Sequence, residues 1–211
     1  MENIDKEKYL QQITDIKSIM ESNSKFITLS GISGIWAGLT ALVAALIVIC
    51  FFPDVNESIL YINESNRIGE NNVSMLIAIA SLTLVVAIVG GYVFTAIKAQ
   101  KLNHTLWNAT SKKITVELFF ILAIGGIFCL IQMYNGIYFL TAPTTLLFYG
   151  IGLFSISKYT ERDIKYLAVS LCILGLLNTL FLNFGILFWA IGFGFMHIIY
   201  GSIMYFKYDR N

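Results

Sequence analysis

Residues Gly185–Tyr208 read GILFWAIGFGFMHIIYGSIMYFKY. One formally charged side chain, Lys207, stands in this stretch, and it stands at the end. A helix rises 1.5 Å per residue, so roughly 20 apolar residues cross the hydrocarbon core of a bilayer. No water-facing stripe breaks the run. The stretch therefore reads as a membrane-spanning helix, and it carries His197, one of only two histidines in the chain.

Five more apolar segments precede it. The spans are 26–52, 73–97, 114–134, 136–157, 166–183 and 185–206. Each is long enough to cross a bilayer, the fifth barely. The composition agrees: of 211 residues 57% are hydrophobic and 13% charged, against about 25% charged in soluble domains. The fold class expected is all-α, a polytopic membrane protein of six transmembrane helices. Tyr134-Asn135-Gly136 and Asn183-Phe184-Gly185 leave very short turns between spans three and four and spans five and six. Asn and Gly tolerate the left-handed conformation that reverses a chain quickly. Helices joined this tightly are antiparallel neighbours.

The basic residues orient the chain. Lys6, Lys8, Lys17 and Lys25 precede the first span, and Lys98, Lys101, Lys112 and Lys113 lie between the second and third. Lys158, Arg162 and Lys165 lie between the fourth and fifth, and Lys207 and Arg210 close the chain. Only Arg67 falls on the other side. A basic excess marks the cytoplasmic side, so both termini are expected to be cytoplasmic, with 207–211 as a short tail.

Residues 1–25 are polar and helix-forming. Tyr9, Ile13, Ile16 and Met20 recur on one helical face, with Glu7, Lys8, Gln12, Asp15 and Lys17 on the other. Mixed acids and bases from the start do not make a cleavable signal peptide. This amphipathic helix suits the membrane surface or packing on the bundle, and two heptads are marginal for a coiled coil. It is also the expected contact for a protein partner. The segment 53–72 reads as a solvated connector, with a cap over the outer face as the functional alternative. His104, in 98–113, reads as an exposed histidine.

Ser30, Gly34 and Gly38 are spaced by four in the first span, and Ala37, Ala41 and Ala45 repeat the spacing beside them. Small residues let helix backbones approach closely in lipid. The first span is therefore expected inside the bundle, with a homo-oligomer interface as the alternative. Pro143, in TAPTT, reads as a kink near a helix end, or as a broken helix at a transport site.

Ionisable and polar groups within spans are the candidate functional residues. Glu117 enters the third span one turn past Lys113 and is expected to snorkel or to pair with Lys112 or Lys113. His197 lies roughly 13 Å from the inner end of its helix. Tyr149 falls at a similar depth, Tyr200 is one turn from His197, and Asn178 lies on the adjoining helix. A hydrogen-bonded His197–Asn178–Tyr149 cluster is the expected arrangement, serving either to join helices or as a substrate or proton site.

The negative findings narrow the function. Cys50, Cys129 and Cys172 form no CxxC or Cys/His spacing, so no zinc or redox site is expected. One deep histidine cannot assemble a hydrolytic metal centre. No GxSxG, P-loop or intramembrane lysine occurs. The net charge of +1 offers nucleic acid no clustered basic face. No catalytic residue, metal or cofactor is assigned. The leading expectation is a non-enzymatic sensor, scaffold or accessory membrane subunit. The alternative is a small-solute or proton-coupled transporter using His197 and Glu117, and the third reading is a lipid-modifying enzyme.

Three stretches, KFITLSGISGIWAGLTALVAA, FYGIGLFSISKYTERDI and IGFGFMHIIYGSIMYFKY, resemble an uncharacterised group of bacterial six-span integral inner-membrane proteins. The resemblance covers most of the chain. It implies a bacterial cytoplasmic membrane as the location and brings no catalytic residues.

Overall fold

The structure, a computed structural model, describes residues 11, 13, 30–52, 70–101 and 107–209. The amphipathic helix expected over 1–25, apart from Gln11 and Ile13, lies outside the described residues. So do His104, Arg67 and most of the 53–72 connector.

The described chain is helical, and no strand occurs among the described residues. Its long helices are α1 (Gly31–Phe51), α2 (Glu70–Lys101), α3 (Ala109–Tyr134), α4 (Thr141–Ile156) and α5 (Arg162–Leu180). A sixth span follows, built from α6 (Gly185–Trp189), a π-helical segment (Ala190–Met196), α7 (His197–Met204) and a second π segment (Tyr205–Asp209). Among the described residues six helical spans are long and apolar enough to cross a membrane. The protein is an all-α chain of the multi-pass type.

The ends of the helices follow local chemistry. Asn108 caps α3: its Oδ1 accepts the Ser111 N–H at 2.7 Å, and the Ser111 hydroxyl accepts the Asn108 N–H at 3.4 Å. This reciprocal cap starts α3 at Ala109 rather than at 114, so Lys112 and Lys113 lie on the helix itself. At the other end Gly136 takes φ 74°. Its N–H bonds Met133 O at 3.0 Å and the Ile137 N–H bonds Gln132 O at 2.8 Å, which satisfies two orphan carbonyls. The second short turn works differently. Gly185 is right-handed, with φ −50°, and the reversal is made by a 3₁₀ turn over Leu182–Phe184. The left-handed turn expected at Asn183-Phe184-Gly185 is thus replaced, because Gly185 already belongs to the next helix.

Pro143 also has a plainer role than its sequence context suggested. It is the third residue of α4. The first four N–H groups of a helix have no intrahelical acceptor, so proline removes no bond there and gives no cause for a kink or break.

α1 packs on the sixth span and α4 on α5, while α3 flanks α4 and α2 flanks α1. The α1 crossing is a glycine contact. A Cβ built on Gly201 would lie 2.6 Å from Ile35 N and 2.7 Å from Gly31 O, and one on Gly38 would lie 2.7 Å from Gly194 O. Backbone meets backbone with no room for a side chain. The buried core lies between α4, α5 and α7: Leu146, Leu153 and Ile156 meet Ile164, Leu167, Leu171 and Met204. The most apolar stretch of the α2 span buries no residue fully, and Leu82, Leu84, Val85, Val86, Val89 and Val93 face outward, as they would toward lipid. All eight described Lys and Arg residues fall at one end of the bundle, the basic end; the opposite end is the far end.

Candidate functional site

His197 begins α7, straight after the π segment. A π turn closes i→i+5, and the histidine side chain spans the same interval: Nδ1 lies 3.0 Å from Gly192 O. A carbonyl only accepts, so Nδ1 carries the hydrogen and donates. Nε2 is then the acceptor, and the Tyr149 hydroxyl donates to it at 3.1 Å. Trp189, Phe193 and His197 form a ladder along one face, with ring centroids 5.1 and 6.0 Å apart. Tyr149 packs across it, 5.1 Å from Phe193 and 5.4 Å from His197. His197 is 6% exposed. Both ring nitrogens are occupied by protein, and aromatic rings fill the space around them.

The other expected members of the cluster lie apart. Asn178 is 0% exposed, yet neither its Nδ2 nor its Oδ1 has a hydrogen-bond partner. It does not bond His197 or Tyr149, so the three-residue cluster reduces to a pair. The α4–α5 register gives the reason. Gly150 faces Cys172 and Leu147 faces Gly175, which sets Asn178 opposite the first turn of α4, about one and a half helical turns from Tyr149. Tyr200 packs its ring on the α4/α5 core.

Glu117 is held by α4. Its Oε2 accepts from Ser155 at 3.1 Å, its Oε1 accepts from Tyr159 at 3.1 Å, and Lys158 pairs with it at 3.3 Å. The expected pairing with Lys112 or Lys113 is not the one found. Both lysines are exposed on α3, whereas Glu117 points toward the basic end of the antiparallel fourth span, where Ser155 ends α4 and Lys158 and Tyr159 lie in the 3₁₀ turn Ser157–Tyr159. Glu117 and His197 are therefore separate sites, each satisfied locally.

Ser30, Gly34 and Gly38 all face the sixth span. A Cβ on Gly34 would lie 3.1 Å from Gly201 Cα. Ser30 has a polar task as well: its hydroxyl donates to Asp209 Oδ2 at 3.2 Å, and the Gly31 N–H donates to the same oxygen at 2.8 Å. Lys98 of α2 pairs with Asp209 Oδ1 at 2.7 Å. A carboxylate from the end of the sixth span thus caps the N-terminus of α1, where the helix dipole favours negative charge. The side chains of Lys98 and Asp209 are 10% and 7% exposed. A second tie joins α5 to the sixth span, with Asp163 accepting from Lys207 at 3.0 Å and Tyr208 at 2.9 Å. Sequence reading missed Asp209, because it sits in what looked like a tail; a lone acid beside Lys207 and Arg210 was the only cue.

No group of three or more potential metal ligands occurs among the described residues. The chain matches no family model, no curated protein and no solved structure. The arrangement speaks for itself: polar groups are used to join helices at the basic end and at mid-span. Open space lies elsewhere. At the far end a cavity of about 190 Å³ is bordered by α1, α2, α4 and α6, with Met133 at its rim. Trp189 lines it, while His197 and Asn178 do not.

Proposed function

We propose that this chain is a non-enzymatic integral membrane component, a sensor, scaffold or accessory subunit, rather than a transporter working through His197. The observation that carries this reading is the closed hydrogen-bond account at His197: Gly192 O takes one ring nitrogen and Tyr149 the other. A proton carrier or substrate site needs a free face toward an aqueous path, and the cavity lies away from the histidine. Glu117, the second proton candidate, is engaged by Ser155 of α4 and by Lys158 and Tyr159 of the 3₁₀ turn that follows it. A lipid-modifying enzyme would need converging acid and base groups, and the described residues bring none together outside these structural ties.

In this reading the chain sits in a bacterial cytoplasmic membrane, in keeping with the sequence resemblance. The basic end is cytoplasmic, supported by the eight Lys and Arg gathered there. Residues 1–25 then lie on the cytoplasmic side and supply the contact for a protein partner.

The test is proton flux in sealed vesicles containing the purified full chain and an internal pH dye. Under an imposed gradient, flux equals that of protein-free vesicles. Flux that the full chain supports and His197→Gln abolishes would overturn the reading.

A further inference from the structure

The far-end gap, where Ala44, Ala45, Ala80, Ala142 and Gly185 face one another, presents no charged group that would select an occupant. The basic end does. Three of its acids are spent on the ties already described: Glu117 on Lys158, Asp163 on Lys207 and Asp209 on Lys98. Lys165 has no carboxylate partner among the described residues. Its ammonium group lies instead 5.5 Å from the centre of the Phe154 ring.

Phe154 belongs to a strip of the fourth span that its neighbours leave open. Two glycines set the borders of the strip. A Cβ on Gly152 would lie 2.9 Å from Leu118 Cδ1 of α3, and one on Gly150 would lie 2.6 Å from Cys172 Sγ of α5. α3 and α5 thus close on α4 from two sides. Between those contacts Ile151, Phe154 and Lys158 recur at steps of three and four, which puts them on one helical face. All three are exposed. The strip is a shallow groove, with α4 as its floor and α3 and α5 as its walls.

Two lysines flank the basic end of this groove. Lys158 stands one turn past Phe154 on the floor, and Lys165 reaches the Phe154 ring from the α5 wall. Both ammonium groups are held in place. Lys158 lies 3.3 Å from Glu117 Oε1 and 4.7 Å from the centre of the Tyr159 ring, and Lys165 rests on Phe154. An aromatic face attracts a cation through its quadrupole. The two charges are therefore positioned before a ligand arrives, which lowers the ordering cost of binding. Lys113 and Arg162, each one turn nearer the basic end than Glu117 and Lys165, add charge of the same sign. Glu117 and Glu161 offset two of these four cations, so the mouth of the groove is left positive. Its floor, Phe154 and Ile151, is apolar. The occupant that suits both is an anion with an acyl chain attached.

We propose that the groove between α3 and α5 binds one anionic glycerophospholipid, its phosphate lodged between Lys158 and Lys165 and one acyl chain laid along Phe154 and Ile151. A zwitterionic lipid offers the same phosphate but brings its own ammonium, which the lysine pair repels. Free phosphate shares the charge but has no chain to lie on the floor. The site goes beyond the role proposed above and stands independently of it, because it rests neither on His197 nor on which side of the membrane the basic end faces.

The test uses the full chain in vesicles of phosphatidylethanolamine and phosphatidylcholine. A trace of phosphatidylglycerol or of phosphatidylethanolamine carries a diazirine at the same carbon of one acyl chain, and crosslinks are mapped by mass spectrometry. On Ile151–Lys158 and Lys165–Val169 the phosphatidylglycerol probe is expected to label about fivefold more than the other, the equivalent of about 1 kcal/mol and the contribution of one basic residue at an anionic surface. On Tyr92 and Val93, which face lipid on α2, the two probes should label alike. Lys165 is exposed, so its variants leave the packed interior untouched. Lys165→Gln should bring the groove close to parity, Lys165→Glu should reverse the preference, and Lys165→Arg should keep it. Equal label from the two probes in the groove of the unaltered chain, or a phosphatidylglycerol preference that survives both Lys165→Gln and Lys165→Glu, overturns the site. Loss of groove label when inorganic phosphate replaces chloride at equal ionic strength overturns the lipid as occupant, and retention of label supports it.

Discussion

Gly201→Ala tests the packing that organises the bundle. The added methyl would sit 2.6 Å from Ile35 N and 2.7 Å from Gly31 O. Both are backbone atoms of α1, so no rotamer change relieves the clash. Restoring an ordinary 3.4 Å contact moves α1 away by about 0.8 Å, which loosens the dispersion contacts along the whole crossing. The same movement strains the Gly31 N–H bond to Asp209. Overpacking of this kind costs about 1–3 kcal/mol. Alanine also favours a helix over glycine by about 1 kcal/mol, which would mask part of the loss. Gly126→Ala cancels that term: a Cβ there meets nothing within 4 Å. The expected result is a difference of about 1–3 kcal/mol between the two variants, Gly201→Ala being the less stable. Equilibrium unfolding of each variant in mixed micelles, followed by circular dichroism against rising SDS fraction, measures it. Equal stability of the two variants would refute the glycine crossing.

Three further outcomes follow from the same geometry. Asp209→Asn removes the carboxylate from Lys98 and from the α1 N-terminus, and should lower stability by about 3 kcal/mol; adding Lys98→Met should recover much of this loss in the same unfolding assay. Gly136→Ala places a Cβ at φ 74° and should cost about 1 kcal/mol, seen as an earlier unfolding midpoint, whereas Gly185→Ala should cost less, its φ being −50°. Asn178→Leu replaces a fully buried amide that has no partner with an apolar side chain of similar volume, and should be neutral or stabilising by about 1 kcal/mol. A marked loss of stability there would mean that the amide bonds something in the membrane-embedded protein.

The sequence made the spans legible because apolar length is a property of one helix at a time. It made the Asn135-Gly136 turn legible for the same reason: the Schellman bonds involve only Gln132 to Ile137. The His197–Tyr149 pair was readable from depth alone, since both side chains fall at the same height on two helices that each run from the far end to the basic end. What depth does not give is the direction in which a side chain points. Asn178 sits on the neighbouring helix, but its face is turned to the first turn of α4. Glu117 follows Lys113 by one turn yet finds Lys158 instead, because its side chain points toward the basic end of the fourth span, where Ser155 and Tyr159 also bond it. Asp209 shows the limit most plainly. Its partners are Ser30, Gly31 and Lys98, and no local pattern links residues so far apart. The cavity was invisible for a related reason: five small residues on four helices form a gap only once the helices are assembled.

The cap on α1 bears on how the chain is made. Gly31 emerges from the ribosome 178 residues before the aspartate that binds its N–H. The glycine face of α1 matches the sixth span, so α1 must wait for a helix made more than 150 residues later before it can dock there. Until then α1 and α2 form a hairpin whose small-residue face is open to lipid or to the insertion machinery. A nascent chain stalled before Asp209 would hold every span yet lack the clasp, so α1 should be far more accessible to thiol reagents, through a cysteine placed at Ser33, than in the released protein. The contact of α1 with the sixth span thus forms only after Asp209 has been made, whereas α3, α4 and α5 can pack on one another before it.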